Sequence, residues 1–463
     1  MGAYALIAPE IVILGVAIAV LFSDVLVRGN ERAAAWISAA GSTLAGVLAL
    51  LVGTGSIPLF GEQFVVDSMA QFARCATAFL TAIFLVWLAG AGLKRQPVRQ
   101  FTSLALFATL GGMLIVAAQD WVVLLLALET ATMPCYVLMG YDRTDERGLE
   151  GALKYFLLSV VASLLFLYGL SFVIGMSGST LFSKTALAAG TPGMVAALFL
   201  VAGLLTKLSA APFQWWAPDS YAGAPAASVA FVSSVPKIAG VVALARVVTV
   251  VGPHVPALWM ILVVAAVASM IVGNLAAYPQ DDVKRLMGYS GVAHAGYLLV
   301  GLAAAASSGS ASGLKAAVFY GVAYALPSMA MMFVVATEGD RIADLAGLWE
   351  RKPWVAWVSV VLLISLIGVP PLAGFAGKFF LFGAAVSADL SWLAIFSLVM
   401  SVVSVGFYFR IVRAMFFGTP AEDASVVPMS PAAAFALVAC TVATLAIGVA
   451  ASPLLSLIEF TLS

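Results

Sequence analysis

An all-α polytopic membrane protein is the fold class this sequence predicts, and three observations predict it. Apolar residues make up 63% of the 463 and charged residues only 10%, whereas a soluble chain carries about 25% charged residues. The mean hydropathy is +1.10, and the apolar residues run in stretches of roughly 20, the length that crosses a bilayer core as a helix. Two such stretches, in corresponding halves, are interrupted by proline, the pattern of the broken helices that line a path in transporter folds.

The same composition excludes several functions. The chain has 22 basic and 22 acidic residues and no net charge, so nothing favours nucleic acid as a partner. Cys75, Cys135 and Cys440 stand far apart and His254 and His294 are the only histidines, which leaves no local metal, iron–sulfur or haem motif. A G-x-x-x-x-G-K-[ST] nucleotide loop is also missing. No cofactor is expected on this chain, so any coupled redox chemistry belongs to another polypeptide. Residues 1–10 lack the basic start of a signal peptide, and the run to Val27 is long enough to span.

Taken in order, spans of this length predict about fourteen helices. They lie near 3–27, 33–53, 68–92, 101–118, 121–140, 149–175, 192–218 (broken), 225–249, 256–277, 284–303, 312–336, 353–386 (broken), 390–417 and 430–458. Basic residues concentrate in the odd-numbered loops, among them Arg28, Arg32, Lys94, Arg95, Arg143, Arg147, Lys284, Arg285, Arg351 and Lys352. The positive-inside rule then puts those loops in the cytoplasm and both termini outside. Residues 180–189 are expected along the outer interface, and 339–350 have the spacing of a short amphipathic helix on the cytoplasmic side.

The chain also repeats itself. Leu204–Pro212 (L-L-T-K-L-S-A-A-P) returns as Leu362–Pro370 (L-L-I-S-L-I-G-V-P), 158 residues later, and Gly151–Lys154 echoes in Ser312–Lys315. The expected organisation is a three-helix segment over 1–100, a five-helix repeat over 101–252, a second over 253–418, and a C-terminal helix over 419–463. Five is an odd number, so the second repeat enters the membrane inverted.

Inside these helices lie ionisable residues. A charge at mid-bilayer costs about 2.5–3.5 kcal/mol even on the lenient scale, and Glu129, Lys207, Lys237 and Lys378 all fall near midspan. They are therefore expected to face one another or water. Pro212 and Pro236 cannot donate to the carbonyls of Leu208 and Val232, which offers acceptors beside Lys207 and Lys237. Burial favours a neutral amine and a nearby carboxylate favours the ammonium, so a Glu129–Lys207 pair of variable separation would load and release a proton. A static ion pair fits the same residues, and a structural amine bonded to freed carbonyls fits Lys237 and Lys378. His294 has two readings, a titratable bridge between lysines or a packed neutral imidazole. Lys154 and Lys315 lie nearer helix ends, where snorkelling to the interface stands beside a functional reading. Arg74 and Arg246 read as structural or interfacial, and His254 is a loop residue with no assigned role.

Several runs carry a resemblance: L-E-T-A-T-M-P-C-Y-V-L, G-L-E-G-A-L-K-Y-F-L-L-S, K-L-S-A-A-P-F-Q-W-W-A-P-D-S-Y-A-G-A-P, V-S-S-V-P-K-I-A-G, D-D-V-K-R-L-M-G-Y-S-G-V-A-H-A-G-Y-L-L and G-V-P-P-L-A-G-F-A-G-K-F. Over about residues 100–385 they resemble the antiporter-like membrane subunits of respiratory NADH–quinone oxidoreductase (complex I), the N type more than the M or L types. The resemblance implies a proton-translocating subunit of a bacterial cell membrane with Glu129 and Lys207 as the coupling pair. It further implies Lys237 and His294 as the central axis, Lys378 on the exit side and Lys154 as an auxiliary. NAD, FMN, iron–sulfur clusters and quinone are then expected on partner subunits, with M- and L-type and small membrane subunits as neighbours in the bilayer. One position departs: Gln214 stands where the family often has histidine, and glutamine cannot titrate. The rival readings are a subunit of a multisubunit sodium–proton antiporter or of a related F420H2, ferredoxin or hydrogenase membrane complex, and a scaffold subunit that moves no ions.

Overall fold

Every predicted hydrophobic segment is helical in the computed structural model, which describes residues 3–26, 31–52, 58–93, 97–420 and 428–459. The first three main helices are α1 (Ala8–Leu26), α2 (Glu31–Leu51) and α3 (Ser68–Ala91). The first half continues with α4 (Val98–Ala117), α5 (Trp121–Met139), α6 (Glu146–Ser177), α7 (Thr191–Leu208), α8 (Trp216–Gly223), α9 (Ala226–Val232) and α10 (Val235–Val251). The second comprises α11 (Leu258–Ala277), α12 (Val283–Ser308), α13 (Ala311–Glu338), α14 (Pro353–Ile367), α15 (Ala373–Ser387) and α16 (Ser391–Phe417), before α17 (Pro431–Val449). Twelve helices among the described residues are long and apolar enough to cross a membrane, counting α9 and α10 as one. The helix at Ala8 and the shorter α14 and α15 are apolar as well. Arg28, Lys94 and Arg95 of the orientation argument lie outside the described residues.

The ends of these helices are set by polar residues at their boundaries. Asp67, Asp120, Asp145 and Asp282 each accept a backbone N–H in the first turn of the helix that follows, satisfying donors that a helix start leaves open. Two of these caps are tied down further. Asp67 receives both terminal nitrogens of Arg246 at 3.0 and 3.1 Å, and Asp120 accepts from Thr180 at 2.5 Å.

Small residues set how close the helices come. A Cβ on Gly111 would lie 2.2 Å from the backbone nitrogen of Ala131, and one on Gly273 would lie 2.3 Å from that of Ala293. Backbones meet this closely only where a side chain is missing. The two contacts, α4 on α5 and α11 on α12, are the same contact 162 residues apart in both partners. At the centre lies α13, whose most apolar window is completely buried. Its Phe333 stacks on Trp87 of α3 at 4.5 Å.

The structure corrects four expectations. Residues 58–65, read as loop, form a two-stranded ribbon pairing Pro58–Leu59 with Phe64–Val65 around a tight turn at positive φ. Residues 339–350 are not one amphipathic helix. Gly339 and Gly347, at φ +126° and +65°, divide them into a 3-10 turn (Ile342–Leu345) and the start of a second short helix (Leu348–Arg351). The span expected at 225–249 breaks at Ser233–Ser234, where the Ser234 hydroxyl turns back to the carbonyls of Ala230 and Phe231. Finally, α7 stops at Leu208, ahead of Pro212, because Ser209 adopts a left-handed conformation and closes the helix. The carbonyl of Leu208 is therefore at a helix end, not in a gap opened by the proline.

Candidate functional site: a row of buried ionisable groups

The break after α7 places Lys207 in a last helical turn, where an ammonium suits the negative end of the helix dipole. Backbone bonds hold the turn: Ala210 N–H reaches Leu205 at 2.9 Å, and Ala211 N–H reaches the Ser269 hydroxyl at 2.8 Å. The indole of Trp216 donates to the Thr206 carbonyl at 3.0 Å. From this fixed point the ammonium of Lys207 sits 3.7 Å from the carboxylate of Glu129 on α5. That is an ion pair longer than a hydrogen bond of ordinary length. Lys207 donates instead to Thr132 at 3.4 Å, and Ser163 of α6 donates to the Glu129 carboxylate. Beside the pair is a cavity of about 10 Å³ lined by Glu129, Ser163, Gly203 and Lys207, about the size of one water. Only 6% of the Lys207 side chain is exposed, against 25% for Glu129, so the carboxylate is on the open side of the pair.

The next group inward is Lys237, in the first turn of α10 after the Ser233–Ser234 break. Gly240, one turn further on, packs α10 against Leu208, with the Cβ of Lys207 next to it. The Lys237 ammonium is buried and has no hydrogen-bond partner among the described residues. It lies over two aromatic faces, 5.3 Å from the Tyr324 ring and 6.0 Å from that of Tyr221, an arrangement in which ring quadrupoles attract the cation. Among the described residues the carbonyl of Val232 does not receive it.

His294 on α12 follows, its ring 4.6 Å from that of Tyr324. Both ring nitrogens meet phenols: Nδ1 is 2.6 Å from the Tyr320 hydroxyl and Nε2 is 3.2 Å from that of Tyr408. A hydroxyl can donate or accept, so this setting suits either the neutral ring or the imidazolium. Tyr408 is bonded in turn to Ser290. Lys378 on α15 ends the row, 4.6 Å from the ring of Tyr297. It donates to the carbonyls of Leu366 and Ile367 at 3.1 and 2.8 Å and to Ser401 at 2.7 Å. Those acceptors match its three protons, and the two carbonyls come from the end of α14 at the second break.

The other candidates lie off this row. Lys154 is 41% exposed and paired with Glu150 at 2.8 Å and Asp219 at 2.9 Å. Gln214 is buried with its Oε1 unpartnered. Arg74 binds Glu10 and Arg246 binds Asp67 and the Val116 carbonyl, all buried, which is the structural placement expected for both arginines. Sequence reasoning missed Ser163, Ser401, Glu10 and the four tyrosines 297, 320, 324 and 408. Tyr320, Tyr324 and Ser328 recur every four residues on α13, and that spacing was the readable signal.

The family model described as NADH:quinone oxidoreductase/Mrp antiporter, TM, matches residues 118–404. The chain belongs to this family. A relative named NADH-quinone oxidoreductase subunit N, from Maricaulis maris, is 37% identical over 92% of this chain and 90% of its own length. Among solved structures, a chain of respiratory complex I from Thermus thermophilus with bound aureothin superposes with a TM-score of 0.83 at 30% identity. It covers 97% of this chain and 98% of that one. A chain of the Mrp complex from Dietzia superposes at 0.82 with 22% identity, covering 97% and 96%, and at that identity the likeness is one of fold. All the row's residues, from Glu129 to Lys378, fall inside the segment that defines the family.

Proposed function

We propose that this chain is a membrane-arm subunit of a bacterial proton-pumping NADH–quinone oxidoreductase and moves protons along the row Glu129–Lys207–Lys237–His294–Lys378. The observation that carries the reading is the Glu129–Lys207 pair at 3.7 Å, loose and half open, set at the head of a line of buried basic groups. Quinone reduction on partner subunits shifts charge beside Glu129. When the pair parts, a desolvated ammonium without its counter-ion is driven to release a proton. Lys237 is the acceptor with free capacity, His294 relays between phenols, and Lys378 discharges on the outer side. Lys154, shared with Asp219 at the surface, acts as an auxiliary on the cytoplasmic side, where Gln214 can hydrogen-bond but not titrate. NAD, FMN, iron–sulfur clusters and quinone are carried by the partners, M- and L-type and small membrane subunits among them. The chain crosses the inner membrane fourteen times with both termini outside, in two inverted five-helix units over 101–252 and 253–418.

The test is purification of the tagged chain in mild detergent, with mass spectrometry and a visible spectrum of what co-elutes. Peripheral redox subunits with iron–sulfur absorbance support the reading. The family also includes Mrp antiporters, so antiporter subunits alone, without a chromophore, would assign the chain to sodium–proton exchange instead.

A further inference from the structure

The two halves differ at one place where their packing is the same. The contact of Gly111 with Ala131 in the first half is that of Gly273 with Ala293 in the second. The register it fixes sets Gly291 where the first half has Glu129. In the first half that position holds the partner of a lysine from the same half. In the second it holds no side chain, and a lysine from the other half occupies the space. A Cβ built on Gly291 would lie 2.7 Å from the ammonium of Lys237 and 3.0 Å from the hydroxyl of Tyr324, and beyond its own stretch of helix no other atom of the described residues is within 4 Å. Gly291 is also one turn before His294 on α12, on the same face.

We propose that Gly291 is a positioning residue for proton passage between the halves, its missing side chain being the space in which the Lys237 ammonium stands against Tyr324. The inference rests on the proton row proposed above and adds to it a residue that cannot titrate. The atom that a methyl group would meet first is the end of a flexible four-carbon side chain, not backbone. Alanine is moreover the better helix former. Gly291→Ala should therefore leave the fold intact and move the ammonium, separating Lys237 from Tyr324 and His294 without removing any titratable group.

The experiment measures protons pumped per electron, together with assembly and melting temperature, in the intact complex. Gly291→Ala is compared with Lys237→Met, with the double variant, and with Gly321→Ala, whose new Cβ would meet Val241 at an ordinary 3.5 Å. The expected result has Gly291→Ala assembled and melting no lower than wild type, with a proton-to-electron ratio reduced as in Lys237→Met. The double variant should be no worse than Lys237→Met, since both changes act through one ammonium, and Gly321→Ala should pump normally. A wild-type ratio in Gly291→Ala beside an impaired Lys237→Met overturns the inference. So does a Gly291→Ala complex that melts lower, or a double variant worse than either single one. If Lys237→Met itself pumps normally, the proton row falls first and this inference with it.

Discussion

Lys378 and Lys237 are both buried lysines beside a helix break, yet among the described residues one ammonium has three oxygen acceptors and the other has none. The first is anchored and the second is held only by aromatic faces, so the second is the one positioned to gain partners and lose them. Glu129 is the other adjustable group, and Ser163 is the side chain that fixes its carboxylate. A hydrogen bond to a charged group contributes about 1.5–3 kcal/mol. Ser163→Ala is therefore expected to slow coupled proton pumping by on the order of tenfold, with assembly unchanged, as read in inside-out membrane vesicles. A wild-type rate would mean that the carboxylate is held by other means. The charged members of the row were legible because a charge in an apolar run has a free-energy cost that demands a reason. The tyrosines raised no such question, and only the four-residue spacing of Tyr320 and Tyr324 marked a shared face.

At the level of elements, the breaks organise the path, and each is closed by local hydrogen bonding. Proline marked two of them in the sequence, at Pro212 and Pro370. The residues that end the helices are Ser209 and Gly368, both left-handed, and a serine in that conformation carries no sequence mark. The third break, at Ser233–Ser234, was hidden for a related reason: serine hydroxyls bonding back to carbonyls look like ordinary helix residues until a neighbouring proline is weighed with them. The first break has a specific support in Ser269, whose hydroxyl accepts the buried N–H of Ala211. Ser269→Ala would leave that donor unsatisfied, at a cost of about 1–3 kcal/mol. The expected outcome is a lower melting temperature in detergent. An unchanged value would show that the break is held without it.

Across the whole molecule, hydropathy was enough to find the helices, because each had to bury a run of apolar residues of bilayer length. It did not reveal which helices touch. Neighbours are chosen by contacts such as Gly111 on Ala131, and small residues are too common in an apolar chain to be read as pairs. The expected repeat rested on a faint echo of the proline breaks, and one helix–helix contact recurs 162 residues on. The orientation depends on basic residues in the loops, and it predicts that reporters or cysteine labels at both termini are reached from the outer side. Labelling from the cytoplasm at either terminus would reverse the direction assigned to the row.

Proton movement along the row is decided at Lys207. The measurement is the number of protons pumped per electron by the assembled complex carrying Lys207→Ala, with subunit content and redox activity of the peripheral part verified in the same preparation. The account predicts an assembled complex whose proton-to-electron ratio and coupled turnover both fall. A normal ratio in an assembled Lys207→Ala complex would contradict it.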